Sequence, residues 1–141
     1  MTTSLPARKT RRDFQRLADL RAREAVSLGR SRNHQGAYYL AGFAVECALK
    51  ACIAKKTRRH DFPLDVKQAG KVYSHDLTEL LKLADLASQL DRDMKNNELL
   101  AANWGIVKEW RVDCRYETTG LNGKGMMASL DGVLEWIKLR W

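Results

Sequence analysis

Proline is nearly absent from this chain and cysteine is sparse. The 141 residues include two prolines and three cysteines. Valine and isoleucine are few beside leucine and alanine, which argues against a sheet-rich fold. Cys47, Cys52 and Cys114 cannot all pair within one chain and show no Cys-x-x-Cys spacing, so neither a disulfide framework nor a zinc site is expected. A reduced, cytoplasmic setting follows from that reading. The chain has no Gly-rich phosphate loop, no paired catalytic carboxylates and no arranged serine or cysteine nucleophile, so no catalytic residue, metal ligand or cofactor is assigned. The N-terminus is basic but lacks the apolar run of a signal peptide. Residues 37–54 are apolar enough to raise the question of a membrane. Glu46 and Lys50 near their middle would each cost about 2.5–3.5 kcal/mol at a bilayer centre. The buried central helix of a soluble bundle, with no membrane partner, is expected instead.

What the chain does have is positive charge. Its 25 Lys and Arg outnumber 17 Asp and Glu, for a net charge of +8. The excess lies in the first half, where residues 1–60 carry 14 basic against 4 acidic residues, a balance of +10. Residues 61–141 carry 11 against 13, a balance of −2. Such asymmetry fits a polyanionic partner; a solvated helix face with a basic tail fits it equally. Residues 1–12 are read as that tail and residues 13–141 as a single domain, the size at which one core suffices.

Apolar spacing predicts about five helices in an all-α, up-and-down bundle. Asp13 is the expected N-cap of the first, with Phe14, Leu17, Arg21, Ala25 and Leu28 recurring at helical spacing along a thin, partly exposed stripe. The second, over 34–56, is apolar almost all round and is the expected core helix. Gly42 within it costs about 1 kcal/mol relative to Ala, and close approach of a neighbouring helix would explain its use. Residues 57–73 read as a long loop. Ser74 is the expected cap of a third helix with Leu77, Leu80, Leu81, Ala84 and Ala87 as its stripe. A fourth helix is expected over 98–115, and a last one around Met126, Leu130, Val133, Leu134 and Ile137.

Three stretches, taken together and in order, resemble the HEPN family (higher-eukaryote and prokaryote nucleotide-binding domains). Residues 38–51, Tyr-Tyr-Leu-Ala-Gly-Phe-Ala-Val-Glu-Cys-Ala-Leu-Lys-Ala, are similar to the family's core helix. His75-Asp76-Leu77 is similar to the opening of its third helix. Arg115-Tyr116 matches the start of the Arg-Tyr-Pro that often closes its fourth. The resemblance implies an up-and-down bundle, usually a homodimer, that binds nucleotide or RNA or accompanies a small nucleotidyltransferase. Other members are metal-independent ribonucleases of toxin–antitoxin and defence systems, marked by an Arg followed after four to six residues by a His. No histidine here meets that spacing. The positions five to seven residues before His34, His60 and His75 hold Gly29, Leu28, Ser27; Lys55, Ala54, Ile53; and Gly70, Ala69, Gln68. A non-catalytic binding domain is therefore expected, with the ribonuclease and a purely oligomerising or protein-docking bundle as alternatives.

The expected ligand-binding residues are Lys50, His75, Arg111, Arg115 and Tyr116. Glu46 and Lys50, four apart with the Glu first, form either a structural ion pair or an exposed charge pair able to meet a phosphate. Arg111 and Arg115 are four apart on the expected fourth helix. They serve either its C-terminal dipole or, with Tyr116, an anion-and-base clamp. His75 sits in a first helical turn with no nucleophile in sequence reach, and His60 belongs to a basic cluster with Arg58 and Arg59. Trp104, Trp110, Trp136 and Trp141 read as core or interface anchors.

Overall fold

A helix that is apolar on all sides needs neighbours to close over it. The computed structural model describes residues 9–56 and 74–141, and in it α2 (His34–Lys55) is enclosed in this way. Fifteen of its 22 residues are buried. By length and composition α2 could cross a membrane, and 83% of its apolar window is buried inside the protein. Among the described residues the other helices are α1 (Arg11–Arg30), α3 (Leu77–Leu83), α4 (Ala87–Lys95), α5 (Glu98–Val107) and α6 (Gly123–Lys138), with a 3-10 turn over Val112–Tyr116. Among the described residues six helices form an all-α bundle, where about five were expected for the chain. The expected 57–73 loop, with His60, and residues 1–8 of the expected tail lie outside the described residues.

The directions of the helices follow from their contacts. α1 packs along much of α2. Lys138 of α6 pairs with Asp19 of α1 at 2.6 Å, while Gly29 at the other end of α1 faces Met127. So α6 runs antiparallel to α1. It runs parallel to α2, because Gly123 abuts His34 at the start and Cys52 reaches the Ile137 carbonyl at the finish. α5 lies on α6 where Asn103 covers Gly132. Asp93 of α4 accepts from Trp136 Nε1 at 2.8 Å and from Arg140 at 3.1 Å.

Helix ends differ from expectation for local reasons. α1 starts three residues early because Thr10, not Asp13, is the cap. The Thr10 hydroxyl accepts from Asp13 N–H and the Asp13 carboxylate accepts from Thr10 N–H, a reciprocal capping box. That second bond holds the Asp13 carboxyl below its ordinary pKa. α3 is capped by Asp76, whose side chain accepts from Glu79 N–H, rather than by Ser74. The expected third helix breaks in two at Asp85, which has φ +60°. There Leu86 N–H reaches Leu81 O and Asp85 N–H reaches Lys82 O, a Schellman ending without its usual glycine. Arg32, at φ +63°, closes α1 with the same bonding pattern.

The largest departure is in the expected fourth helix. α5 stops at Val107, Arg111 is extended, and the chain re-enters a 3-10 turn. Trp110 is the reason: its fully buried indole lies on the backbone of α2 at Gly42. A Cβ at Gly42 would sit 2.1 Å from the ring, so the close approach is a side chain's and not a helix's. Intrinsic propensity says that Gly42→Ala should stabilise α2 by about 1 kcal/mol. Overpacking against Trp110 reverses the sign, and a net loss of about 1–3 kcal/mol is expected in urea denaturation. A raised midpoint would contradict this packing.

Candidate functional site

Tyr39, Phe43, Glu46 and Lys50 follow one another along α2 at spacings of four, three and four, and so share one side of the helix. The row covers about 16 Å of helix rise. At its N-terminal end the rings are half-buried and stacked in series. Tyr39 lies 6.3 Å from Phe43 and 6.3 Å from Trp110, centroid to centroid, with interplanar angles of 28° and 23°. Arg21 of α1 places its guanidinium 5.9 Å from the Phe43 ring and is also paired with Glu24.

The 3-10 turn adds the outer part of this surface. Arg115 stacks on Tyr116 with 4.9 Å between guanidinium carbon and ring centroid. Tyr116 is 73% exposed, unusual for a large ring with no core to fill. Contact with Tyr116, and after it with Tyr39, raises the Arg115 pKa above its ordinary value. Arg115 thus stacks on the exposed ring, and its guanidinium stays charged at every physiological pH.

Arg111 does not join it. Because α5 ends at Val107, Arg111 and Arg115 are not one turn apart on a helix. Arg111 donates instead to the main-chain carbonyls of Trp110 at 2.9 Å and Lys108 at 3.1 Å. Its role is to satisfy carbonyls where the helix breaks, in place of the expected shared cationic face.

At the other end of the row Glu46 and Lys50 form a buried pair, Nζ to Oε2 3.2 Å, with side chains 3% and 8% exposed. This is the geometry of the structural ion pair, and the Lys50 side chain is buried rather than exposed to solvent. Glu46 also meets His75, Nδ1 to Oε1 2.8 Å, and the imidazole remains 50% exposed. The carboxylate thus joins a cation from its own helix to an imidazole 29 residues away. A carboxylate that fixes one imidazole nitrogen leaves the other to face solvent or a ligand, an arrangement suited to hydrogen-bond recognition or proton transfer. Among the described residues no group of three or more His, Cys, Asp or Glu could hold a metal ion.

Two of the five expected ligand residues, Arg115 and Tyr116, therefore lie together, and His75 lies at the opposite end of the same side of α2. Tyr39, Phe43 and Arg21 were not among the expected residues. The i, i+4 spacing of Tyr39 and Phe43 is a signal for their shared side. No protein-family model matches the chain, and no curated protein or solved structure is significantly similar to it.

Removing one member of a buried pair takes the opposite charge away from the other. Glu46→Ala is expected to cost about 3–5 kcal/mol in urea denaturation, and Glu46→Leu with Lys50→Met together to recover most of it. An equal loss in the double variant would show that the pair is not the cause. The three thiols make a separate check. Burial pushes Cys47 up to about 12 and Cys52 and Cys114 up to about 11. Near pH 8 a disulfide reagent is expected to label none of them until the chain is unfolded, since thiolate is the reactive form. Fast labelling of the native protein would contradict their placement.

Proposed function

We propose that this chain is a non-catalytic, HEPN-type helical domain that binds nucleotide or RNA on the side of α2 bounded by Arg21, Tyr39, Phe43, Arg115 and Tyr116. The observation that carries the reading is an exposed tyrosine with an arginine stacked on it, standing beside a half-buried aromatic row with a second arginine. Guanidinium groups meet phosphates and exposed rings accept bases, a combination that favours single strands whose bases are free to stack. The basic first half of the chain supports an anionic ligand through its longer-range field. The resemblance to HEPN domains adds a small nucleotidyltransferase as a candidate protein partner.

Binding of a short, fluorescently labelled single-stranded RNA, measured at two salt concentrations, tests this. Tyr116→Ala is expected to cost about 1–3 kcal/mol of affinity through lost stacking. Arg115→Gln is expected to weaken binding and to reduce the salt slope by about 0.7, one phosphate contact on a single strand. Wild-type binding that ignores salt, or variants with unaltered affinity, would reject the reading.

One observation favours the ribonuclease as a second reading: His75 is half-exposed and held by Glu46. In that case His75 would move a proton during metal-independent cleavage. RNA cut by the wild type in the presence of a chelator, and left intact by His75→Ala, would support it. RNA left intact by both would remove it.

A further inference from the structure

α1 contains six arginines and no lysine. Two of them are held by the protein itself: Arg11 donates to the Trp141 carbonyl, and Arg21 meets Glu24 and the Phe43 ring. The other four, Arg12, Arg16, Arg23 and Arg30, are exposed and follow one another at spacings of four, seven and seven residues. At about 100° per residue these spacings keep all four within an arc of about 40° and spread them over about 27 Å of helix rise. The buried Phe14, Ala18 and Ala25 lie on the opposite side of the helix. Four guanidinium groups thus stand in one straight row facing away from α2. No acid closes the row. Each carboxylate of α1 is engaged: Asp13 in the capping box, Asp19 with Lys138 and Glu24 with Arg21. Asp131 and Glu135 of α6 line the same groove as Arg23 and Arg30, yet neither comes within ion-pair distance of them. Like charges four apart, as at Arg12 and Arg16, oppose the helix that carries them. An opposite charge from outside the chain removes that cost.

We propose that this row is the docking surface for an acidic helix of a partner protein. That helix carries Asp or Glu at the matching spacings of four and seven residues. A second helix laid along α1 advances by the same rise per residue, so carboxylates seven apart on it meet Arg16, Arg23 and Arg30 in turn, about 10.5 Å from one to the next. Charges repeated every seven positions beside an apolar contact set partner choice and direction in paired helices. The apolar contact is present. Leu20 stands beside the row between Arg16 and Arg23, is 39% exposed, and is one of four exposed large hydrophobics among the described residues. Arginine suits the role better than lysine. Its planar fork takes a carboxylate through two parallel bonds, and protein interfaces are rich in arginine and poor in lysine. A phosphate backbone would match the guanidinium groups but offers nothing to Leu20, so the row fits a protein helix better than a nucleic acid. It lies apart from Arg115 and Tyr116, and the proposal does not rest on RNA binding.

Fluorescence anisotropy of labelled, alanine-rich helical peptides added to the full chain tests this, with circular dichroism to confirm folding of each variant. Two peptides share one composition. The first carries four glutamates at spacings of four, seven and seven with a leucine beside them, and the second distributes the same residues around the helix. The first is expected to bind about tenfold or more tightly at low salt, a preference that weakens as salt rises. Arg16→Glu with Arg23→Glu is expected to abolish the preference. A peptide with lysines in place of the aligned glutamates is expected to bind that variant instead of the wild type, which a merely misfolded protein would not do. Equal affinity for the two glutamate peptides would overturn the proposal, because net charge alone would then account for binding. So would the absence of binding by either at about 1 mM. Duplex RNA that displaces the aligned peptide from the wild type, and fails to bind the reversed variant, would also overturn it by assigning the row to nucleic acid.

Discussion

The indole of Trp110 rests on the backbone of α2 at Gly42, and much of the molecule is arranged around that contact. A side chain of this size comes so close to a helix axis only where there is no Cβ in the way. To deliver the ring there, the chain leaves the helix at Val107, becomes extended at Arg111 and turns again through Val112–Tyr116. That detour carries Arg115 and Tyr116 to the half-buried rings of α2. Had α5 continued on its own periodicity, Arg111 and Arg115 would share a helix face. The cationic surface would then be a helix end instead of an aromatic row with arginines at its margins.

The same helix carries the costliest element of the core. An unpaired charge inside the bundle would be worth several kcal/mol of instability, and Glu46 and Lys50 cancel most of that by meeting inside the bundle. His75 extends the arrangement outward, so that the segment before α3 is attached to α2 by a polar contact at the surface of the core. Packing and the proposed recognition surface thus share one helix. Its inner sides hold the bundle together, and its remaining side presents rings at one end and a carboxylate–imidazole pair at the other.

The main features of this could be read from the residues. The enclosed second helix, the bundle, the one-turn spacing of Glu46 and Lys50 and the burial of Trp110 follow from spacing and composition, because these depend on local periodicity. What could not be read depends on contacts distant in sequence. Trp110 lies on the stripe of Val107 and Cys114, so nothing local marks the break that its contact with Gly42 imposes. The break at Asp85 has no glycine or proline to announce it, since an aspartate takes the left-handed position. Lys56, the C-cap of α2, helps to hold that corner by donating to Leu83 O at 3.0 Å and pairing with Asp85. Arg21 and Phe43 belong to different helices, and only the packing of α1 on α2 brings them together.

The most direct measurement is amide chemical-shift mapping of the isotope-labelled chain during titration with a short single-stranded RNA. On this account the perturbed resonances cluster at Arg21, Tyr39, Phe43, Arg115 and Tyr116, while the outer stripe of α1 at Arg12, Arg16 and Arg23 stays largely unchanged. Perturbations spread along that α1 stripe and absent from Tyr116 would show that net charge, rather than the aromatic surface created by Trp110, governs binding. That result would contradict the account.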